Sequence, residues 1–186
     1  DKVSINTAGI ANPNFINEAS KTFGSSTIVI AIETIKQSDG SYLAYTDNGR
    51  EHTGVDVLQW IKEVEDRGAG EILITSIDKE GTGSGMDLEL IRLISNEINI
   101  PLIAHGGASS SGDLVKAVKN GRADAVSAAS MFHYAALKFN NKLYEDHENE
   151  GNIEFLTKGG SHKIFGDLNL SKVKKTMLEH NINIRI

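Results

Sequence analysis

Apolar positions along this chain follow two alternating rhythms, short unbroken runs and longer stretches with a helical repeat. Residues 2–7 (KVSINT), 27–32 (TIVIAI), 71–77 (EILITSI), 101–104 (PLIA) and 123–129 (ADAVSAA) are short runs of β-branched and small apolar residues. Such runs predict strands buried on both faces, as in a parallel sheet. Helices are predicted between them. Residues 13–23 start with Pro13 behind Asn12, the expected N-cap, and stop at Gly24. Residues 56–67 set Val57, Trp60, Ile61 and Val64 on one face, a stripe that reads as core. Residues 86–97, 111–119 and 170–180 complete the helical set, with a tail at 182–186. Residues 36–54 break the alternation. Ser38-Asp39-Gly40 and Asp47-Asn48-Gly49 flank Tyr42-Leu43-Ala44-Tyr45 there, turn chemistry that predicts a β-hairpin inserted after the second strand.

Five predicted strands separated by helices make one α/β domain with a parallel sheet. Candidate chemistry sits after the strands: Asn6-Thr7, Glu33, residues 78–85, residues 105–108 and Ser130. In a (β/α)8 barrel all such ends face one mouth. In an open doubly wound sheet they share one edge. No GxGxxG follows any strand, and glycine-rich turns follow more than one, which favours the barrel.

The densest such stretch is 71–85, EILITSIDKEGTGSG. Its strand ends in charge and opens into glycines. Glycines let backbone N–H groups approach an anion closely, and Thr82 and Ser84 add hydroxyls. A phosphate-gripping loop and a solvated strand-to-helix turn are both open from this stretch alone.

Composition narrows the function classes. The 186 residues carry a formal net charge of -6, which argues against a general nucleic-acid binder. There is no cysteine, so disulfides, thiolate catalysis and thiolate metal sites are excluded. No run approaches the roughly 20 apolar residues of a membrane span. No His/Asp/Glu spacing suggests a metal site, and no cofactor is implied. The expected setting is the cytoplasm.

Four blocks, DKVSINTA, VEDRGAGEILITSIDKEGTGSG, IPLIAHGGA and ADAVSAASMFH, together resemble the cyclase subunit of imidazole glycerol phosphate synthase. The likeness runs in register over about residues 1–135. It implies a (β/α)8 TIM barrel, of which this chain covers about strands 4 to 8, with residues 131–169 as a divergent loop or insertion before the last helix. It also implies a reaction. Ammonia released from glutamine by a glutaminase subunit, the partner in a heterodimer, passes through the barrel. A ribotide with a phosphate at each end is then cleaved and cyclised to imidazole glycerol phosphate, a step of histidine biosynthesis.

The resemblance assigns roles residue by residue. Glu33 stands where the family has a catalytic aspartate, and the partner aspartate belongs to the first strand, outside this sequence. Asn6, Thr7, Gly81, Thr82, Gly106, Gly107, Ala129 and Ser130 match substrate and phosphate positions. Lys2 and Glu71 match a salt-bridged ammonia gate at the opposite end, and Asp1 matches a residue facing the glutaminase. Glu80 stands for aspartate and His105 for a small polar residue. These departures resemble a divergent branch associated with surface-polysaccharide sugars, in which the barrel conducts ammonia. A third expectation is an inactive half-barrel fragment. Five strands of eight do not close such a barrel.

Overall fold

A computed structural model describes residues 1–139 and 169–185. Its elements run β1 (Val3–Ile5), α1 (Thr7–Ala11), α2 (Asn14–Phe23), β2 (Ile28–Lys36), β3 (Tyr42–Thr46), β4 (Glu51–Asp56), α3 (Val57–Asp66), β5 (Glu71–Ser76), α4 (Leu88–Ser95), β6 (Leu102–His105), α5 (Ser111–Lys119), β7 (Ala125–Ser127), α6 (Ser130–Phe139) and α7 (Leu170–Glu179). The strands form one seven-stranded sheet. Within it β1, β2, β5, β6 and β7 pair in parallel, in that order. Each parallel neighbour is reached through a helix, the βα repeat expected of the fold. β1 and β7 do not pair with each other, so the described strands make an open arc.

Strand side chains alternate between faces, and register carries the alternation across the sheet. Ile30, Ile72 and Leu102 form one transverse row, and Ile32, Ile74 and Ala104 the next. All six are essentially fully buried. They join one core cluster with Ile16 of α2, Trp60 and Ile61 of α3, Leu90 and Ile94 of α4, and Leu114 of α5. Val57, Trp60, Ile61 and Val64 are all buried, as the helical stripe predicted. The opposite face, the one turned to the axis in a barrel, carries Ala31, Leu73, Ile103 and Ala125 in one row.

The structure corrects several expected boundaries. β2 does not stop before Glu33. Its first half pairs with β1, and its second half pairs antiparallel with β3 from Glu33↔Tyr45 to Lys36↔Tyr42, which carries the strand on to Lys36. The expected hairpin is present as β3 and β4. Its turn uses left-handed backbone at Asp47, Asn48 and Gly49. Asn12 is not the cap of α2: Pro13 holds that position, and no side chain caps it. Asn12 instead ends the short helix α1, which forms where the first strand was expected to run on through Thr7. Residues 131–139 are helix, not loop. The rest of the expected 131–169 insertion, apart from Asn169, lies outside the described residues.

Two local devices set the loops at the strand ends. At the start of β5, Gly70 donates its N–H to Ile28 O, and a Cβ there would lie 2.1 Å from Ser25 O. At the start of α5, Ser110 and Asp113 form a reciprocal capping box. Burial pushes the Asp113 carboxyl up. Hydrogen bonds from the N–H and hydroxyl groups of Ser109 and Ser110 outweigh this and hold it below its ordinary range.

Two outcomes are expected in urea denaturation. Gly70→Ala lowers stability by about 1–3 kcal/mol, the cost of forced overpacking, and an unchanged midpoint contradicts the close approach. Asp113→Asn is less stable than the parent at neutral pH. Because the native pKa is depressed, the stabilisation is present above the ordinary value of 3.8. The gap between the two proteins therefore shrinks only as pH falls below that value towards the native pKa. A gap already lost at pH 6 contradicts the assignment.

Candidate active site at the strand mouth

The helix-free side of the strand pattern changes character near the C-terminal ends. One row beyond Ala31, Leu73, Ile103 and Ala125 come Glu33, Thr75, His105 and Ser127, paired in register across β2, β5, β6 and β7. Period-two alternation makes this inevitable: a polar residue two positions after each apolar one lands on the same face, about 7 Å further up the strand. Four polar side chains thus line the mouth above an apolar layer.

Two contacts organise the row. Thr75 Oγ1 and His105 Nδ1 lie 3.3 Å apart. Glu33 Oε2 accepts the Gly49 N–H at 2.8 Å. The hairpin tip therefore holds one oxygen of the candidate acid–base carboxylate. Gly49 itself presses on Ile77, where a Cβ would meet Ile77 Cγ2 at 2.8 Å. The insertion after the second strand is thus a positioning element for Glu33. Asp78, also at the strand end, is committed elsewhere: its Oδ2 accepts the Lys36 N–H at 2.8 Å, tying β2 to the loop after β5.

Beside the row is a cleft walled by the loops after β5, β6 and β7. Gly81, Gly106, Gly107, Ala129 and Ser130 line it together with Glu80, Gly83 and His105. The β5 and β6 loops are joined by Gly85 N–H donating to Gly107 O at 2.9 Å. Gly106 and Gly107 have φ of 101° and 90°. A Cβ on Gly106 would lie 2.7 Å from Ser76 O, and one on Gly107 would lie 2.3 Å from Gly85 O. Only glycine lets these backbones meet. α6 opens at Ser130, so the positive end of its dipole is at the cleft. Backbone N–H groups and a helix N-terminus, with no lysine or arginine among the described residues of the wall, suit an anion held by hydrogen bonds.

Other sequence-predicted residues fall differently. Thr82 does not line the cleft. Its hydroxyl donates to Lys79 O at 2.7 Å and pairs with Ser84 Oγ at 2.8 Å, so it shapes the loop. Asn6 and Thr7 sit at the end of β1, on the same mouth but across β2 from the cleft, and Asn6 Oδ1 is buried with no hydrogen-bond partner among the described residues. At the other end of the strands Lys2 Nζ and Glu71 Oε1 form an ion pair. Asp1 is exposed beside it. Among the described residues no group of His, Asp or Glu is arranged to hold a metal ion, and no helix is long and apolar enough to cross a membrane.

Three contributors escaped the sequence. Thr75 and Ser127 were available from the period-two pattern, as polar positions following apolar ones on a predicted strand. The Gly49 N–H on Glu33 is a backbone group, and the only trace of it is the Asp-Asn-Gly turn a hairpin's length downstream.

Residues 1–138 match the family model described as histidine biosynthesis protein. A curated relative, imidazole glycerol phosphate synthase subunit HisF of Alkaliphilus metalliredigens (strain QYMF), is 48% identical over 134 residues. The alignment covers 72% of this chain and 53% of that relative, so the chain spans about half the length of the curated relative it matches. With residues 1–138 matched and the strands in a parallel βα arc, the chain belongs to the histidine biosynthesis protein family of (β/α)8 barrels.

Proposed function

We propose that the protein acts as the cyclase subunit of an imidazole glycerol phosphate synthase, and that this chain supplies one acid–base carboxylate and one phosphate cradle of its site. The observation that carries the reading is the sharing of one mouth by Glu33 and the glycine cleft. Identity to a curated cyclase subunit supports it.

The chemistry follows from position. A phosphate of the bis-phosphorylated substrate lies on the N–H groups of the glycine loops and the start of α6. This orients the substrate and leaves its reacting end over the polar row. Glu33 takes and returns a proton as ammonia adds and the ring closes. The Gly49 N–H bond fixes one carboxylate oxygen and leaves the other free for that transfer. Ammonia from the glutaminase partner enters at the Lys2–Glu71 end, crosses the apolar row of Ala31, Leu73 and Ile103, and meets the substrate at Glu33. Asp1, exposed at the entry end, faces that partner, while Asn6 and Thr7 contact the substrate from β1. Thr82 serves the cradle by shaping its loop.

A second reading is favoured by the residues at 33, 80 and 105, which depart from the cyclase pattern. In it the barrel conducts ammonia to another amidotransfer reaction. The two separate cleanly. The cyclase turns over its ribotide with ammonium salts in the absence of the partner. A conduit does not, yet still raises the partner's glutaminase rate.

In the intact protein, Glu33→Gln is expected to lower ammonium-driven cyclisation at least about 100-fold while keeping the unfolding midpoint, since general acid–base groups contribute about 10²–10⁴. Steady-state turnover retained by the variant removes Glu33 from the mechanism. Lys2→Ala is expected to lower glutamine-driven turnover several-fold more than ammonium-driven turnover. Equal losses in both assays contradict entry at that end.

A further inference from the structure

We propose that His105 is the cationic contact of the anion cleft, an inference resting on the phosphate reading of that cleft. Among the described residues no lysine or arginine lines the wall, although Lys79 Cβ lies 2.7 Å from where a Cβ on Gly107 would stand, and one lining side chain, Glu80, is a carboxylate. A backbone cradle with an acid in its wall holds a dianion against repulsion. Among the described lining residues, His105 is the one that can supply the opposing charge. It directly precedes Gly106 and Gly107, so the imidazole and the two glycine backbones approach the same volume.

The imidazole is placed for this. Its ring is in the polar row of the mouth, and Nδ1 is engaged with Thr75 Oγ1. No other hydrogen bond joins the ring to the described residues, so Nε2 is free for a ligand. Its surroundings carry charge from several sides. β5 and β7 present the uncharged Thr75 and Ser127. The loop after β5 brings Glu80 to the cleft, with Asp78 and Lys79 alongside. Glu33 stands beyond Thr75 in the row, bonded to Gly49. Asp113 caps α5 and is bound by Ser109 and Ser110. α6 contributes Ser130, with the exposed His133 on its first turn. These groups are present with and without an anion, so the change on anion binding isolates the contact.

The consequence is specificity for charge. An imidazolium in the cleft favours a dianion over a monoanion or a neutral hydroxyl group. Linkage then works in both directions: the bound dianion stabilises the imidazolium, and affinity falls as pH rises through the histidine titration. The glycine N–H groups remain at high pH, so binding weakens without vanishing.

Sulfate is the direct probe, because it stays a dianion from pH 5 to 9. It is titrated into the intact protein with the Gly81, Gly106 and Gly107 amides and the His105 ring followed by NMR. Sulfate is expected to bind about tenfold more tightly at pH 5.5 than at pH 8.5. The His105 midpoint is expected to rise by about one pH unit at saturation, the same tenfold factor seen from the other side. His105→Asn, whose unfolding midpoint is checked first, is expected to bind sulfate with the affinity of the parent at pH 8.5 and no pH dependence. If the variant does not fold, the His105 titration in the parent decides. Sulfate that moves the glycine amides but not His105, or an unchanged pH dependence in His105→Asn, overturns the histidine contact and leaves the phosphate cradle standing. Sulfate that moves neither overturns both.

Discussion

The lateral register of five short parallel strands is the constraint on which the rest depends. Pairing Ile30 with Ile72 and Ile72 with Leu102 buries one face against helices. The same pairing fixes what the other face presents, because side chains alternate and a one-residue slip would exchange the faces of a whole strand. Burial of Ile28, Ile30, Ile32, Ile72, Ile74 and Leu102 therefore does two things. It holds the sheet, and it sets Glu33, Thr75, His105 and Ser127 in one row at the mouth. The site is positioned by apolar residues that never touch a ligand.

Glycine carries the second half of the arrangement. The loops after β5 and β6 approach so closely that Gly107 and Gly85 share a backbone hydrogen bond and leave no room for a Cβ. That packing opens a cleft walled largely by backbone. Backbone donors are aimed by the fold and need no side-chain ordering. The hairpin adds one more backbone donor, Gly49 N–H, to the carboxylate of Glu33. Glu33 and the glycine cleft are thus each held by main chain, on elements locked to the same core.

Much of this was legible in the sequence. The parallel strands, the hairpin and the helices that cover the sheet follow from apolar runs, turn dipeptides and the stripe through Trp60. Glu33, Gly81, Gly106, Gly107 and Ser130 were marked by standing after buried runs. What escaped has a common cause: it depends on pairing between distant segments. β2 runs past Glu33 because β3 lies beside it, and nothing local in residues 33–36 announces that partner. Thr82 reads as a phosphate ligand until the loop folds and its hydroxyl bonds Lys79 O. The link between Thr75 and His105 spans two strands and is invisible along either.

Glu33 and the glycine cleft are proposed to serve one substrate across one mouth. A crystal structure of the intact protein with imidazole glycerol phosphate bound tests it most directly. The phosphate is expected within hydrogen-bond distance of the Gly81 and Gly107 N–H groups or the start of α6, and the imidazole ring turned towards Glu33. A phosphate seated away from these loops, or a ring with Glu33 out of reach, contradicts it.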